Sequence, residues 1–342
     1  MRGAVLTGQN TLEIAERDAP HCGASDVILA VEVCGVCRTD RKMFNVGQRD
    51  LTLPRIPGHE IVGRVVELGA SVTSVRPGDR VQVSPGVFCG VCDYCRSGTD
   101  QLCDEMKIIG FHLDGGFAEL LHVPGKGEEP PVLNKIPKHL DSKSAALAEP
   151  LACCLNLQKR MDIEAKTVII FGAGPLGILN AQLAHTLGAK QIVIVEPMER
   201  RRSLAARFSD CQLDFDRHLT QNIAEFTRGR GADVVLPCCP SSEPFLIGLE
   251  IAAKRGQLGF FSGLTDSTGI TSSNLNLIHY KELTVTGSYG CSLSDNHQAL
   301  ELLASGRVSV LDLPSLDVSW HDLRETLSHL APYEHVFTYF IP

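Results

Sequence analysis

The feature that most constrains the fold is a regular alternation of strand-like and helix-like segments that begins at residue 167. The apolar run 168–171 predicts a buried strand, residues 175–187 predict a helix that ends at Gly188, and residues 191–196 predict the next strand. Later segments continue the pattern, with strands predicted at 233–236, 257–261 and 283–286 and a helix at about 243–253. Because such alternation is typical of a parallel sheet covered by helices, we expect a doubly wound α/β domain over residues 151–288.

The turn after the first of these strands is glycine-rich in the manner of a dinucleotide site. Gly172 permits a tight turn, Gly174 lets the backbone approach a pyrophosphate, and Gly177 lets the helix pack closely on the strand. Pro175 and Leu176 open that helix, whose N-terminal N–H groups then face the phosphates. The glycine spacing alone is a weak signal, but here it follows an apolar strand and opens a helix, so we predict a dinucleotide site.

Glu196 ends the next predicted strand and bears on the choice of dinucleotide. A carboxylate at this position accepts hydrogen bonds from a ribose 2′-hydroxyl and repels a 2′-phosphate, which favours NAD over NADP. Arg200, Arg201 and Arg202 argue the other way, because arginine beside this strand end can bind a 2′-phosphate. Our interpretation is that one of them, with Arg201 as the candidate, stacks on the adenine and two lie in solvent, and NADP remains the alternative.

A cluster of four cysteines has the spacing of a structural metal site. Two residues separate each of the first three thiols from the next on a glycine-containing turn, and seven residues separate the third from the fourth; the four are Cys89, Cys92, Cys95 and Cys103. Four thiolates form the closed tetrahedral shell that structural zinc prefers. Disulfides are the alternative, but bridges across two-residue spacings are awkward, and nothing in the chain is typical of a secreted protein. We therefore expect a structural zinc lobe at about residues 85–110.

Charge and hydropathy limit what else the chain could do. The 342 residues carry 40 Asp and Glu against 32 Lys and Arg, a net charge of −8 that argues against a zinc ribbon for nucleic acid. The N-terminus lacks a signal-peptide pattern, and no apolar stretch is long enough to span a bilayer, so no membrane partner is expected. Thirteen cysteines then point to a reducing compartment, which we expect to be the cytoplasm.

With both sites in view, the whole chain resembles the zinc-dependent medium-chain dehydrogenases. The motifs that carry the resemblance stand in the family's order: Cys34-Gly-Val-Cys37-Arg-Thr39-Asp40, Gly58-His59-Glu60-Ile-Val-Gly63-Arg-Val-Val-Glu-Leu-Gly69-Ala-Ser-Val72, the four-cysteine lobe, Asp114-Gly-Gly-Phe-Ala-Glu119 and Ala148-Glu149-Pro150-Leu151. The last motif looks like the polyol branch, which includes sorbitol dehydrogenases. The resemblance implies a GroES-like β-rich catalytic domain over residues 1–150, to which residues 289–342 return, beside a Rossmann domain. Residues 125–131 are predicted to form a surface loop.

The second metal site can also be argued from charge and geometry. Cys37 as thiolate, neutral His59 and one carboxylate neutralise Zn²⁺ and leave a fourth position open, as catalytic zinc requires. Glu60 and Glu149 compete to supply that carboxylate. Because adjacent side chains in extended chain point to opposite sides, His59 and Glu60 should not easily bind one ion. We therefore favour Glu149, directly or through water, with Glu60 as an exchanging or alternate ligand.

The resemblance implies hydride transfer between NAD and a polyol or other secondary alcohol. Thr39, two residues after Cys37, is the candidate first proton acceptor, and ribose hydroxyls would carry the proton onward. Some relatives end this relay in a histidine where this chain has Lys42, so the exit of the proton stays open. Arg38 resembles an arginine that meets the cofactor pyrophosphate in liver-type enzymes, with a solvated arginine as the alternative.

Other functions remain as alternatives. Phosphorylated polyols, aminocyclitols and amino alcohols, the last as in threonine dehydrogenases, are alternative substrates. Arg41, Lys42, Arg49 and Arg55 could bind a phosphorylated substrate, although a basic loop of this kind is usually a solvated surface. A catalytically silent binding protein is the remote alternative, because such relatives typically lose catalytic ligands that this chain retains. A homo-dimer or homo-tetramer is expected.

Overall fold

A computed structural model describes residues 1–126, 130, 132–264, 271–329 and 335–342. Within them the chain forms two compact units, one of Met1–Ala152 with Cys291–Pro342 and one of Cys153–Gly290. The loop predicted at 125–131 lies mostly outside the described residues. No helix in the described part of the chain is long and apolar enough to cross a membrane.

The N-terminal part of the first unit is rich in strands. Its strands are β1 (Arg2–Gly8), β2 (Thr11–Glu16), β3 (Val27–Gly35), β4 (Glu60–Leu68), β5 (Arg80–Val83), β6 (Gly86–Val87), β7 (Lys107–Ile108), β8 (Leu120–Val123) and β9 (Leu133–Lys135). Its helices are α1 (Arg38–Val46), α2 (Asp93–Arg96) and α3 (Ser142–Ala146), with a short 3-10 helix at Asp100–Leu102. Helix α4 (Ala148–Gln158) contains the boundary between the two units.

The second unit alternates strands and helices, and the chain then returns to the first. The alternating elements are β10 (Thr167–Phe171), α5 (Pro175–Thr186), β11 (Gln191–Val195), α6 (Glu199–Ala205), β12 (Cys211–Leu213), α7 (Leu219–Phe226), β13 (Ala232–Pro237), α8 (Ser242–Ile251), β14 (Ala252–Phe260), α9 (Ser272–Tyr280) and β15 (Thr284–Gly287). The returning segment contains α10 (Leu293–Ala304), β16 (Ser315–Val318), α11 (Leu323–Ser328) and β17 (Phe337–Phe340).

The main sheet of the first unit has the strand order β16-β17-β3-β4-β5-β9, and β8 also pairs with β3. Its pairs are antiparallel except for β16 and β17. The C-terminal strand β17 pairs with the end of β3, where Tyr339 lies opposite Gly35. Buried aromatic rings, among them Phe44, Phe117 and Phe340, fill the core around this sheet. The sheet therefore holds the end of β3 and the start of β4 side by side.

The second unit contains a parallel sheet of order β12-β11-β10-β13-β14-β15. The order reverses next to β10, so the turn after β10 lies at the topological switch point where such sheets bind ligands. This architecture confirms the predicted doubly wound α/β fold. The strand predicted at 257–261 in fact begins at Ala252, because it runs through an irregularity in which Arg255 has a positive φ of 62°. The start of this strand was not predicted, because the stretch contains the charged residues Lys254 and Arg255.

Candidate metal and dinucleotide sites

The four lobe cysteines lie together as their spacing predicts. Their sulfur atoms all lie within 4.8 Å of one another. Cys89 Sγ is 3.9 Å from Cys95 Sγ, and Cys92 Sγ is 3.5 Å from Cys95 Sγ. A tetrahedron with Zn–S bonds of ~2.3 Å separates its sulfurs by about 3.8 Å. The donor set and its spacing therefore fit a zinc ion in a closed four-sulfur shell.

Backbone N–H groups make the lobe favourable for thiolates. The N–H groups of Val91 and Cys92 donate to Cys89 Sγ at 3.5 and 3.3 Å and lower the pKa of that thiol to about 6. Burial and the neighbouring Cys92 thiol raise the pKa of Cys95 to about 12. The four thiols thus have different surroundings, and Cys89 is the one most favourable to a thiolate. A dication would displace the remaining protons and bind all four sulfurs.

The lobe is also tied to the C-terminal segment of its own unit. Asp100, in the 3-10 helix before Cys103, accepts a hydrogen bond from Leu293 N at 3.0 Å. Leu293 is the first residue of α10, which Ser292 and Asp295 cap in reciprocal fashion. An acceptor at a helix N-terminus satisfies one of its unpaired N–H groups. The lobe therefore holds the start of α10.

The second metal cluster is formed by Cys37, His59 and Glu60. One ligand atom from each lies within 4.8 Å of the others, and His59 and Glu60 are buried. Cys37 is the N-cap of α1, and its Sγ accepts from Thr39 N at 3.5 Å. A helix N-terminus favours the negative charge that a metal-binding thiolate carries. Thiolate, imidazole and carboxylate at one buried point fit a catalytic zinc ion with an open fourth position.

The structure bears on the choice of the third ligand, which stays a prediction. Glu60, rather than the favoured Glu149, lies in the group with Cys37 and His59. The alternation of an extended chain does not apply, because β4 begins only at Glu60, after Gly58 with a φ of 97° has turned the chain. Glu149 is buried nearby, and its charge helps to raise the pKa of Glu60. Both carboxylates thus remain candidates for the third ligand, and Glu60 is the one grouped with Cys37 and His59.

Asp40 is a buried residue beside the metal cluster that the motifs contained but the sequence argument did not single out. Its side chain is fully buried, and it accepts from Cys37 N at 2.9 Å and from Gly58 N at 3.2 Å. Asp40 Oδ1 also lies 3.2 Å from His59 Nδ1, which leaves Nε2 of that ring as the ligand atom. A carboxylate behind a metal-binding histidine fixes its orientation and tautomer. The signal was present, since an acidic residue three positions after an N-cap often completes a capping box.

The electrostatics of this group match an ion-binding site. Burial raises the pKa of the Cys37 thiol, and the charge of Glu60 adds to the rise. Burial also raises the pKa of Glu60, to about 8, despite the opposing charge of His59. Burial alone would lower the pKa of His59, but the charge of Asp40 outweighs it and raises that pKa well above its usual range. A dication at this cluster would favour the deprotonated forms of Cys37 and Glu60 and oppose these shifts.

The polar residues that follow Cys37 have different surroundings. Thr39 is half-buried on the first turn of α1, whereas Arg38 and Lys42 are exposed. Arg49 pairs with Asp50 at 3.0 Å. A second basic residue of the loop also pairs with a carboxylate, since Arg55 Nη1 lies 2.9 Å from Asp114 Oδ1. Two of the four basic residues considered for phosphate binding are therefore already neutralised by carboxylates.

In the second unit, the glycine turn has the close packing expected of a dinucleotide site. Gly172 has a φ of 103°, and a Cβ on Gly177 would lie 1.8 Å from Gly172 O, so both positions require glycine. Gly174 is the N-cap of α5, with Pro175 in the first turn, and within the described chain no side chain caps this helix. The N–H groups of the helix start are thus available to a phosphate, and the turn fits the pyrophosphate of a dinucleotide.

Glu196 has a role in the fold that sequence reasoning missed. It is buried, and its carboxylate accepts from Ala173 N at 2.8 Å and from Met198 N at 3.1 Å. It therefore joins the glycine turn to the start of α6. Arg202 is not simply solvated, because it donates to Glu196 O at 2.7 Å and pairs with Asp214 at 3.3 Å. Arg201 Nη1 lies 4.0 Å from the position of a Cβ on Gly174 and so faces the glycine turn.

Comparisons with known proteins agree with the interpretation of the first unit as a metal-binding unit and of the second as a dehydrogenase dinucleotide unit. Residues 23–132 match the family called Alcohol dehydrogenase GroES-like domain, and residues 175–305 match Zinc-binding dehydrogenase. The chain is 32% identical to L-threonine 3-dehydrogenase of Pyrococcus furiosus over 87% of its length and 85% of that protein. It is 30% identical to a protein of Arthroderma otae described as a D-xylulose reductase, over 95% of its length and 93% of that protein.

A solved structure extends the likeness to the whole fold. A protein of Sinorhizobium meliloti, described as a zinc-binding dehydrogenase and solved with NADP bound, superposes with a TM-score of 0.91 at 30% identity, covering 100% of this chain and 99% of that one. The chain belongs to the zinc-dependent medium-chain dehydrogenase family. It is an oxidoreductase of the zinc-type alcohol dehydrogenase class, and its xylulose reductase relatives are of the predicted polyol type.

Proposed function

We propose that the protein is an NAD-dependent dehydrogenase of polyols or other secondary alcohols that holds one catalytic and one structural zinc ion per chain. The observation that carries the proposal is the buried group of Cys37, His59 and Glu60, backed by Asp40. Two negative ligands neutralise a dication and leave one position for a substrate oxygen. In this proposal the first unit supplies catalysis and the second unit binds the dinucleotide.

The chemistry divides between the bound groups and the chain. Zinc would polarise the alcohol oxygen, and the nicotinamide would accept the hydride. Thr39 Oγ1 would accept the proton that the alcohol loses while its own hydroxyl proton passes to a ribose hydroxyl, because the residue lies half-buried two positions after the N-cap Cys37. Asp40 would hold His59 in the tautomer that leaves Nε2 free to bind the metal.

The proposal of NAD as cofactor rests on the surroundings of Glu196. A buried carboxylate beside the glycine turn repels a 2′-phosphate. Arg202, which could have bound such a phosphate, is engaged by Asp214 and by Glu196 O. NADP stays the alternative, because Arg201 faces the glycine turn and a related protein was solved with NADP.

The substrate class has two candidates. A polyol or secondary alcohol follows from the polyol-type motif at Glu149 and from the xylulose reductase relatives. An amino alcohol such as L-threonine is the second candidate, favoured by the relatives named threonine dehydrogenase. Phosphorylated substrates are less favoured, because Asp50 and Asp114 neutralise two of the basic side chains that would bind them. A redox-silent binding role is disfavoured by the complete ligand set.

The compartment and assembly complete the proposal. None of the thirteen cysteines, all of which lie in the described residues, forms a disulfide, and this supports a reducing, cytoplasmic location. The homo-dimer or homo-tetramer remains a prediction.

The deciding experiment is a substrate screen with purified, zinc-loaded protein. Sugar alcohols, their phosphates, simple secondary alcohols and L-threonine are each supplied with NAD or NADP, and formation of the reduced cofactor is followed. We expect turnover with at least one polyol or secondary alcohol and a preference for NAD. Turnover with L-threonine alone would select the second candidate. No turnover with any alcohol, in protein that holds metal at Cys37, would contradict the proposal.

A further inference from the structure

Gly35, the last residue of β3, lies beside the catalytic metal cluster. It is opposite Glu60 on β4 and opposite Tyr339 on β17. A Cβ on Gly35 would lie 1.9 Å from Glu60 Oε2, 2.9 Å from Glu60 Cβ and 3.0 Å from Glu60 Cδ. The Glu60 carboxylate thus occupies the space in which any other residue has its first side-chain atom.

This position is unusual for a strand side chain. Side chains of a sheet stand roughly perpendicular to it, and directly opposed Cβ atoms are separated by about 4.5–5.5 Å. Glu60 instead lies across the neighbouring strand, which the missing side chain of Gly35 permits. As a result the carboxylate stays next to Cys37, two residues beyond Gly35, and within 4.8 Å of the ligand atoms of Cys37 and His59.

The backbone gives no other reason for glycine at this position. The φ angle of Gly35 is not positive, so an alanine could adopt the same backbone conformation. Tyr339 is buried and lies opposite Gly35 on β17, the strand on the other side of β3 from Glu60. Burial is the main cause that raises the pKa of its phenol, and the charge of Glu60 is the next largest. The Glu60 carboxylate therefore lies against Gly35, and β17 with Tyr339 pairs with the other edge of β3.

We propose that Gly35 is a positioning residue that makes Glu60 the carboxylate ligand of the metal held by Cys37 and His59. The inference rests on the proposed function, since it assumes a metal ion at that cluster. A side chain at position 35 displaces the Glu60 carboxylate and leaves Glu149 or water to complete the ligand set.

The test replaces Gly35 by alanine and reads the metal rather than turnover alone. Wild-type and Gly35→Ala proteins are loaded with Co²⁺, and the spectrum of a Cys37→Ser protein is subtracted to remove the lobe contribution. We expect Gly35→Ala to change the visible bands of the catalytic site, because its coordination changes. We also expect a chelator to remove that ion ~10–100-fold faster, the scale of a lost supporting contact. An unchanged spectrum and unchanged release would overturn the proposal.

A matched control is available in the same unit. Gly3→Ala in β1 also adds one methyl to a strand, and its Cβ would meet only the flexible end of Ile56, at 2.6 Å, and Ile56 Cγ1 and Ala118 at 3.5 and 3.9 Å. It should match the wild type in spectrum and in metal release. Metal content of Cys37→Ser equal to that of the wild type would instead contradict the proposed function, whatever Gly35→Ala does.

A rescue variant covers the case in which Gly35→Ala does not fold. Glu60→Gly removes every Glu60 atom that the new methyl would meet. If Gly35 acts by accommodating Glu60, the double variant folds as well as Glu60→Gly alone, and alanine at position 35 has no further effect on metal release. If Glu60→Gly folds and the double variant does not, Gly35 serves another purpose and the inference is wrong.

Discussion

At the scale of single residues, Thr39 is the side chain whose role is most cleanly separated from metal binding. Its backbone N–H, not its hydroxyl, contacts Cys37 Sγ, so Thr39→Val keeps that bond and the side-chain shape. We expect kcat for alcohol oxidation to fall by roughly 10²–10⁴, the usual scale for losing general-base assistance. Dissociation constants for NAD and the zinc content should stay the same. Steady-state kinetics, a binding titration and metal analysis measure the three quantities.

Thr39→Ser is the matched control, because it restores the hydroxyl. It should retain most of the wild-type rate. Full activity of Thr39→Val from pH 6 to 9 would show that the proton leaves by another route, with the exposed Lys42 or a water molecule as the next candidate acceptor.

Residue types with strong chemical preferences were predictable from the sequence, and residues that act through geometry were not. The lobe cysteines follow from ligand type and spacing, and Cys37 and His59 follow from ligand type together with the family motifs. The position of Glu60 beside Cys37 and His59 depends on the turn at Gly58 and on the space that Gly35 leaves for the Glu60 carboxylate. Neither can be recognised from residue types alone. The hydrogen bond that Glu196 accepts from Ala173 N in the glycine turn could not be predicted for the same reason.

At the scale of elements, the long apolar strands and their helices were predictable, because a fully buried parallel strand has a continuous apolar run. Strand β10 and helix α5 begin and end within a residue of their predicted limits. The start of β14 was missed, since a stretch with Lys254, Arg255 and Gly256 resembles a turn rather than a strand. Two-residue strands such as β6 and β7 have no periodicity to detect.

A carboxylate network joins several elements of the first unit. Glu32 on β3 accepts from Arg64 on β4 at 2.7 Å, from Arg80 on β5 at 3.4 Å and from the Ser142 hydroxyl on α3 at 2.7 Å. Burial would raise the pKa of Glu32, but the Ser142 hydrogen bond and the two arginine charges outweigh it and lower that pKa. Because the folded pKa lies below the ordinary value of 4.5, the network stabilises the fold above that pH.

We expect Glu32→Gln to lower the free energy of unfolding of the first unit by about 1 kcal/mol at neutral pH, a modest value because the pairs are partly exposed. The difference from the wild type should shrink as the pH falls below 4.5 and through the lowered pKa of Glu32. Denaturant unfolding followed by tryptophan fluorescence measures it, since the single tryptophan, Trp320, lies in this unit and packs on Phe340.

Glu13→Gln is the control for the network, because Glu13 is exposed on β2. It should leave the unfolding free energy within experimental error. An effect of Glu32→Gln that is equally large at pH 7 and well below the folded pKa would show that packing, rather than charge, explains the loss.

At the scale of the whole molecule, the return of the C-terminal segment was expected only through the family resemblance. Strand β17 pairs with β3 although about three hundred residues separate them along the chain, and no local pattern reports such a contact. The lobe gives the returning segment a further attachment, through Asp100 and the start of α10. The metal lobe therefore supports more of the first unit than its own loop.

This attachment leads to a prediction about metal content and stability. Wild-type protein should hold two zinc ions per chain, and Cys95→Ser should lose one of them, because three sulfurs no longer close the shell. We expect its melting temperature to fall by at least about 5 °C, since binding energy of a structural ion is folding energy. The ion at Cys37 should remain, as elemental analysis and residual turnover would show.

Two controls separate the causes of that loss. Cys211→Ser, at a half-buried thiol on β12 of the second unit, should change neither metal content nor melting temperature appreciably. Asp100→Ala keeps all four sulfurs but breaks the bond to Leu293, so it should retain both ions and destabilise the first unit by only about 1 kcal/mol. If Cys95→Ser instead holds as much zinc as the wild type and melts at the same temperature, the four sulfurs do not bind a structural ion. The support that the lobe gives to α10 would then come from its polypeptide and not from an ion.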